Sequence, residues 1–70
     1  MKGGIIMVKV NGKTLDIAGM TLSEYLSTTT YDVKRIAVER NGDIVPKATY
    51  EAVVLEDEDT IEVVSFLVGG

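Results

Sequence analysis

Seventy residues, 46% hydrophobic and 26% charged, make one globular domain, and a chain this short buries only roughly 60% of the surface its unfolded form exposes. The absence of cysteine and histidine excludes disulfide frameworks, thiolate nucleophiles, zinc fingers and the usual neutral-pH acid–base residue. A net charge of −4 disfavours nucleic acid, whose phosphates need a basic face. No apolar run approaches the ~20 residues of a membrane span, and "MKGGIIMVKV" lacks a signal peptide's long apolar region and cleavage site, so the expected location is the cytoplasm, away from membranes.

Along the chain, Ile6, Val8 and Val10 alternate on one side of a first strand, Asn11-Gly12 follows, and Leu15 and Ile17 resume the alternation. Asn-Gly favours the positive φ angles of a type I′ turn, so this reads as a two-residue hairpin. In "TLSEYL", Thr21 can cap a helix while Glu24 reaches back as a capping box, with Leu22, Tyr25 and Leu26 on one face. Hydroxyls from Ser27 to Thr30 compete for backbone groups, and the helix is expected to end there.

A third strand, "RIAVER", turns Ile36 and Val38 inward before a second turn at Asn41-Gly42, and Pro46 keeps Ile44-Val45 out of the middle of the sheet. A brief turn or helix is expected to hold Tyr50. Leu55, an acidic turn and a last strand, "TIEVVSF", follow, with Ile61 and Val63 facing one way and Glu62, Val64 and Phe66 the other. The pattern predicts an α+β domain: a mixed sheet of about four to five strands with one main helix packed on one face. Its expected core is Ile6, Val8, Val10, Leu15, Ile17, Leu22, Leu26, Ile36, Val38, Leu55, Ile61 and Val63. The domain spans 1–70, with 1–6 as an N-terminal extension and 67–70 as a flexible tail.

Two motif-like stretches carry little. "DEDTIEVVSFLV" opens like a calcium loop but lacks the central glycine and liganding pattern, and "NGKT" lacks the first glycine of a phosphate loop and sits in a hairpin. Glu56, Asp57, Glu58, Asp59 and Glu62 form either a solvated turn or a surface that attracts a basic protein partner. Val64 and Phe66, continuing into Leu67 and Val68, form an apolar strip that suits a protein interface, although Phe66 could instead fold onto the core.

The chain ends at Gly69-Gly70, directly after this strip. Glycines are the thinnest segment a chain can present, and the Gly70 α-carboxylate, ionised at neutral pH, can attack the α-phosphate of a nucleotide bound by a partner. A frayed terminus is the plain alternative.

"MVKVNGKTLDI", "TLSEYL", "IAVERNGDIVPK" and "DTIEVVSFLVGG" together resemble the ThiS family, the ubiquitin-like sulfur carriers of thiamine thiazole synthesis, over nearly all of residues 7–70. The resemblance implies a β-grasp fold and a protein that is a substrate rather than an enzyme. It also implies a cycle in which a ThiF-like enzyme, using ATP, adenylates Gly70, and a sulfur donor such as a cysteine desulfurase converts the end to a thiocarboxylate. Thiazole synthase, ThiG, would receive the sulfur, and no cofactor would be bound by the chain itself. A MoaD-like carrier for molybdopterin synthesis and a ubiquitin-like modifier conjugated through Gly-Gly share the chemistry and remain alternatives. The sequence departs from the family at Glu58, where glycine is usual, so this turn must avoid positive φ or accept strain.

Overall fold

The computed structural model describes residues 7–66, so the expectations for Ile6, for the extension, and for Leu67, Val68, Gly69 and Gly70 lie outside the described residues. Five strands form one sheet: β1 (Val8–Val10), β2 (Lys13–Leu15), β3 (Ile36–Arg40), β4 (Asp43–Ile44) and β5 (Thr60–Ser65), in the order β2-β1-β5-β3-β4. β1 and β5 run parallel, and the other neighbours are antiparallel. The sheet is therefore mixed, and the last strand in sequence lies at its centre.

Both Asn-Gly turns form as their chemistry requires. Asn11 and Gly12 take φ of 51° and 83°, and Asn41 and Gly42 take 53° and 91°, the doubly positive pair whose twist matches the flanking strands. β2 stops at Leu15, two residues short of the expected run through Ile17. The chain must leave the sheet edge there, because Gly19 N–H donates to Leu55 C=O and Leu55 N–H to Met20 C=O, drawing this loop toward the segment before β5. Leu15 and Ile17 still pack against the core, half-buried.

The helix α1 (Leu22–Ser27) carries the expected capping box: Thr21 Oγ1 accepts from Glu24 N–H at 3.0 Å, and Glu24 Oε1 accepts from Thr21 N–H at 2.8 Å. The remaining first-turn donors are satisfied by distant backbone, Leu22 N–H by Val53 C=O and Ser23 N–H by Tyr50 C=O. At the other end the hydroxyls of Ser27, Thr28 and Thr29 bond the carbonyls of Glu24, Tyr25 and Leu26 three residues back, closing the helix as the hydroxyl run predicts.

α1 covers one face of the sheet. Val8, Val10, Leu22, Leu26, Ile36, Val38, Leu55, Ile61 and Val63 are buried as expected, each contributing roughly 1.5–3 kcal/mol. The core adds Tyr25, Val45 and Tyr50. Val45 turns inward because its N–H donates to Val38 C=O before Pro46 leads the chain off the edge strand β4. Among the described residues, the buried Tyr50 hydroxyl has no hydrogen-bond partner.

Candidate functional site

β5 organises the site because its two faces do different work. Ile61 and Val63 are buried under α1, while Glu62 and Val64 point to the uncovered side of the sheet, Val64 with 54% of its surface exposed. Cross-strand pairing extends this alternation sideways. Glu62 lies opposite Glu39, which in turn lies opposite Ile44, and Val64 lies opposite Ala37. The open face thus carries an apolar set, Val64, Ala37 and the 64% exposed Ile44, beside two carboxylates held in direct cross-strand register.

Phe66 resolves outward. It is 44% exposed, yet its N–H donates at 2.9 Å to the C=O of Arg35, the residue before β3, so hydrogen bonding continues one residue past β5. Its ring borders a groove of about 350 Å³ shared with Thr30, Tyr31, Asp32, Arg35, Ile36 and Ser65. This groove lies at the C-terminal end of β5.

The acidic residues do not form one surface. The turn carrying Glu56, Asp57, Glu58 and Asp59 lies at the start of β5, and the strand's six residues, at roughly 3.3 Å each, put about 20 Å between it and the groove. Only Glu62 shares the open face with Val64. Glu56 is exposed, with Arg40 Nη2 at 3.8 Å, and Asp57 Oδ1 accepts from Met7 N–H. Glu58 is exposed at φ 73°, and its N–H donates to Met7 C=O. The turn accepts positive φ where glycine would be relaxed.

Asp59 corrects the expectation that it belongs to a docking surface. It is 7% exposed, and its carboxylate accepts from Arg40 Nε at 2.9 Å, from Asn41 Nδ2 at 3.0 Å and from Glu56 N–H at 2.9 Å. Burial works to raise its pKa, but these hydrogen bonds and the Arg40 charge outweigh it, and the carboxyl lies below its ordinary value. Asp59 ties the acidic turn to the β3–β4 hairpin, which is structural work.

Sequence reasoning did not single out Ala37, Glu39 and Ile44. The signal was present in "RIAVER", whose alternation sends Ala37 and Glu39 to the face opposite Ile36 and Val38. Among the described residues no group of three or more acidic side chains is placed to hold a metal ion, and no helix is long and apolar enough to cross a membrane.

Among the described residues, a mixed five-stranded sheet with one α-helix across one face and its last strand central defines the β-grasp class. The ThiS family model matches residues 8–70, and the chain belongs to the ThiS family. It is 36% identical over 66 residues to the sulfur carrier protein ThiS of Bacillus subtilis, covering 91% of this chain and 100% of that protein. A thiazole synthase of Paramagnetospirillum magneticum is 40% identical over 62 residues, 87% of this chain but 19% of the synthase, so the chain spans about a fifth of that relative's length. The crystal structure of the thiamine biosynthesis protein ThiS from Geobacter metallireducens superposes with a TM-score of 0.75 at 29% identity, covering 91% of this chain and 99% of that one.

Proposed function

We propose that this chain is a sulfur carrier of thiamine thiazole biosynthesis, a protein co-substrate rather than a catalyst, working in the cytoplasm. The observation that carries the reading is the family match, which runs through Gly69 and Gly70, together with the central strand that precedes them in sequence. A carboxylate oxygen of Gly70 attacks the α-phosphorus of ATP on a ThiF-like enzyme, and pyrophosphate leaves. The persulfide of a donor such as a cysteine desulfurase then attacks the activated carbonyl and expels AMP, giving an acyl disulfide, and a second thiol attacks the donor's own sulfur, releasing the thiocarboxylate and leaving a disulfide behind. Thiazole synthase, ThiG, is the recipient, a role supported by the likeness of this chain to part of a protein called a thiazole synthase.

The open face supplies the docking surface, with Val64 and Phe66 continuing into Leu67 and Val68. Glu62 and Glu39, directly opposite each other, repel in the free sheet at a cost of a few tenths to ~1 kcal/mol, and a basic side chain of the partner would relieve that repulsion. Glu56, Asp57 and Glu58, at the far end of β5, contribute long-range attraction, which weakens as salt shortens the Debye length.

Intact mass of the protein from cells making thiamine tests the reading. One oxygen-to-sulfur exchange localised to Gly70 is expected. Ladders of conjugates would instead identify a protein modifier, and a thiocarboxylate dependent on molybdopterin synthesis would identify a MoaD-like carrier.

A further inference from the structure

We infer that Asn11 is a positioning residue for the docking end of β5, acting through Val63 on the presentation of Val64 and Phe66; this rests on the carrier reading above. β1 pairs with β5 only at Lys9–Thr60 and Val10–Ile61, and Asn11 N–H makes the last backbone bond, to Ile61 C=O at 2.9 Å. There the chain turns away through Gly12. Among the described residues, the edge of β5 beyond Ile61 therefore has no strand beside it on the β1 side.

The phase of the ladder makes that gap matter. Phe66 N–H donates to Arg35 C=O and Asn41 N–H to Thr60 C=O, so the even-numbered residues of β5 bond toward β3. The N–H and C=O of Val63 consequently point to the other edge, and Val63 is 7% exposed. Unpartnered, both groups would be buried polar atoms.

The Asn11 side chain fills the gap as a strand would. Its Oδ1 accepts from Val63 N–H at 2.8 Å, and its Nδ2 donates to Val63 C=O at 3.2 Å. Nδ2 also reaches the Tyr31 hydroxyl at 3.3 Å, and Tyr31 lines the groove that Phe66 borders. A carboxamide carries its acceptor and its donor on two separate atoms, so it meets the N–H and the C=O of one residue side by side; an ionised carboxylate has no donor, and a hydroxyl has one oxygen for both tasks. Two-sided pairing of β5 is thereby carried to Val63, the residue before the exposed Val64.

The second Asn-Gly turn provides an internal control. Asn41 has nearly the same φ, 53° against 51°, and its side chain clamps the opposite end of the same strand, accepting from Thr60 N–H at 2.8 Å and donating to Asp59 Oδ1 at 3.0 Å. Glycine tolerates positive φ at both sites, so Asn11→Gly and Asn41→Gly remove the clamps without introducing backbone strain.

The test compares both variants and the parent in ATP–pyrophosphate exchange with a ThiF-like activating enzyme, with amide hydrogen exchange and thermal melts in parallel. Asn11→Gly should lower kcat/KM for the carrier on the order of tenfold, chiefly through KM, below the ~hundredfold that a 1 Å misplacement can cost. Protection of the Val63 amide should fall with it. Asn41→Gly should destabilise the domain at least as much while leaving KM unchanged. Equal kinetics for Asn11→Gly and the parent, or equal KM losses in the two variants, would overturn the inference. Failure of the parent itself to support exchange would count against the carrier reading instead.

Discussion

Glu58 holds φ at 73°, where a Cβ crowds the neighbouring carbonyl oxygen at a cost of roughly 1–2 kcal/mol for an L-residue. Its conformation is fixed from both sides: its own N–H donates to Met7 C=O, and Asp59 N–H closes the turn on Glu56 C=O. Glu58→Gly should therefore change stability by less than about 1 kcal/mol, the relief of strain being offset by glycine's greater freedom in the unfolded chain and by loss of the side chain's own interactions. Chemical denaturation would check this, and a larger loss of stability would show that the Glu58 side chain contributes more than its backbone strain removes. The neighbouring Asp59 makes a pH prediction. Because its folded pKa is depressed, its contribution is complete above the unfolded carboxyl value of ~3.9 and disappears as pH falls through the lower folded value. Asp59→Asn should be less stable at neutral pH by about 3 kcal/mol, the lower end for breaking a buried pair because Arg40 is partly exposed. The difference in melting temperature from the parent should narrow below pH 4; a constant difference would contradict the assignment.

At the scale of elements, β5 makes the sharpest distinction, since neighbouring positions on one strand have opposite fates. Val63→Asp places a carboxylate under α1 and should unfold a domain this small, whereas Phe66→Asp should keep the fold and weaken partner binding. Circular dichroism with a binding assay separates the two. Loss of structure in Phe66→Asp would mean that its ring supports the sheet end. The alternation behind this contrast was legible in "TIEVVSF", as were the capping box at Thr21 and Glu24 and both hairpins, because each depends on residues close in sequence. What the sequence withheld depends on pairing across long separations. Asp59 reads as one acid among five until Arg40 and Asn41 are folded against it, and Asn11 reads only as a turn former until Val63 arrives beside it. Ile44 joins the open face through its pairing with Glu39, in a strand only two residues long that no periodicity could announce.

For the whole molecule, the arrangement separates what holds the fold from what the carrier reading requires to react. Among the described residues the buried core runs from Val8 to Val63 and backbone pairing reaches Phe66. Amidating the Gly70 carboxylate, or deleting Gly70, should accordingly leave the melting temperature unchanged. Activation should nevertheless be abolished. An amide lacks the ionised oxygen that attacks the nucleotide, and a chain one residue shorter brings its carboxylate about 3.3–3.6 Å short of the α-phosphate, when even ~1 Å of misplacement can cost around a hundredfold in rate. Gly69→Ala should fall between these and the parent, since it keeps the carboxylate but adds a methyl group to a segment suited to a narrow channel. ATP–pyrophosphate exchange with a ThiF-like enzyme, run beside thermal melts of each form, measures both halves. Exchange supported by the amidated protein would show that the terminal carboxylate is not the reacting group, and a drop in melting temperature would show that the chain end belongs to the fold.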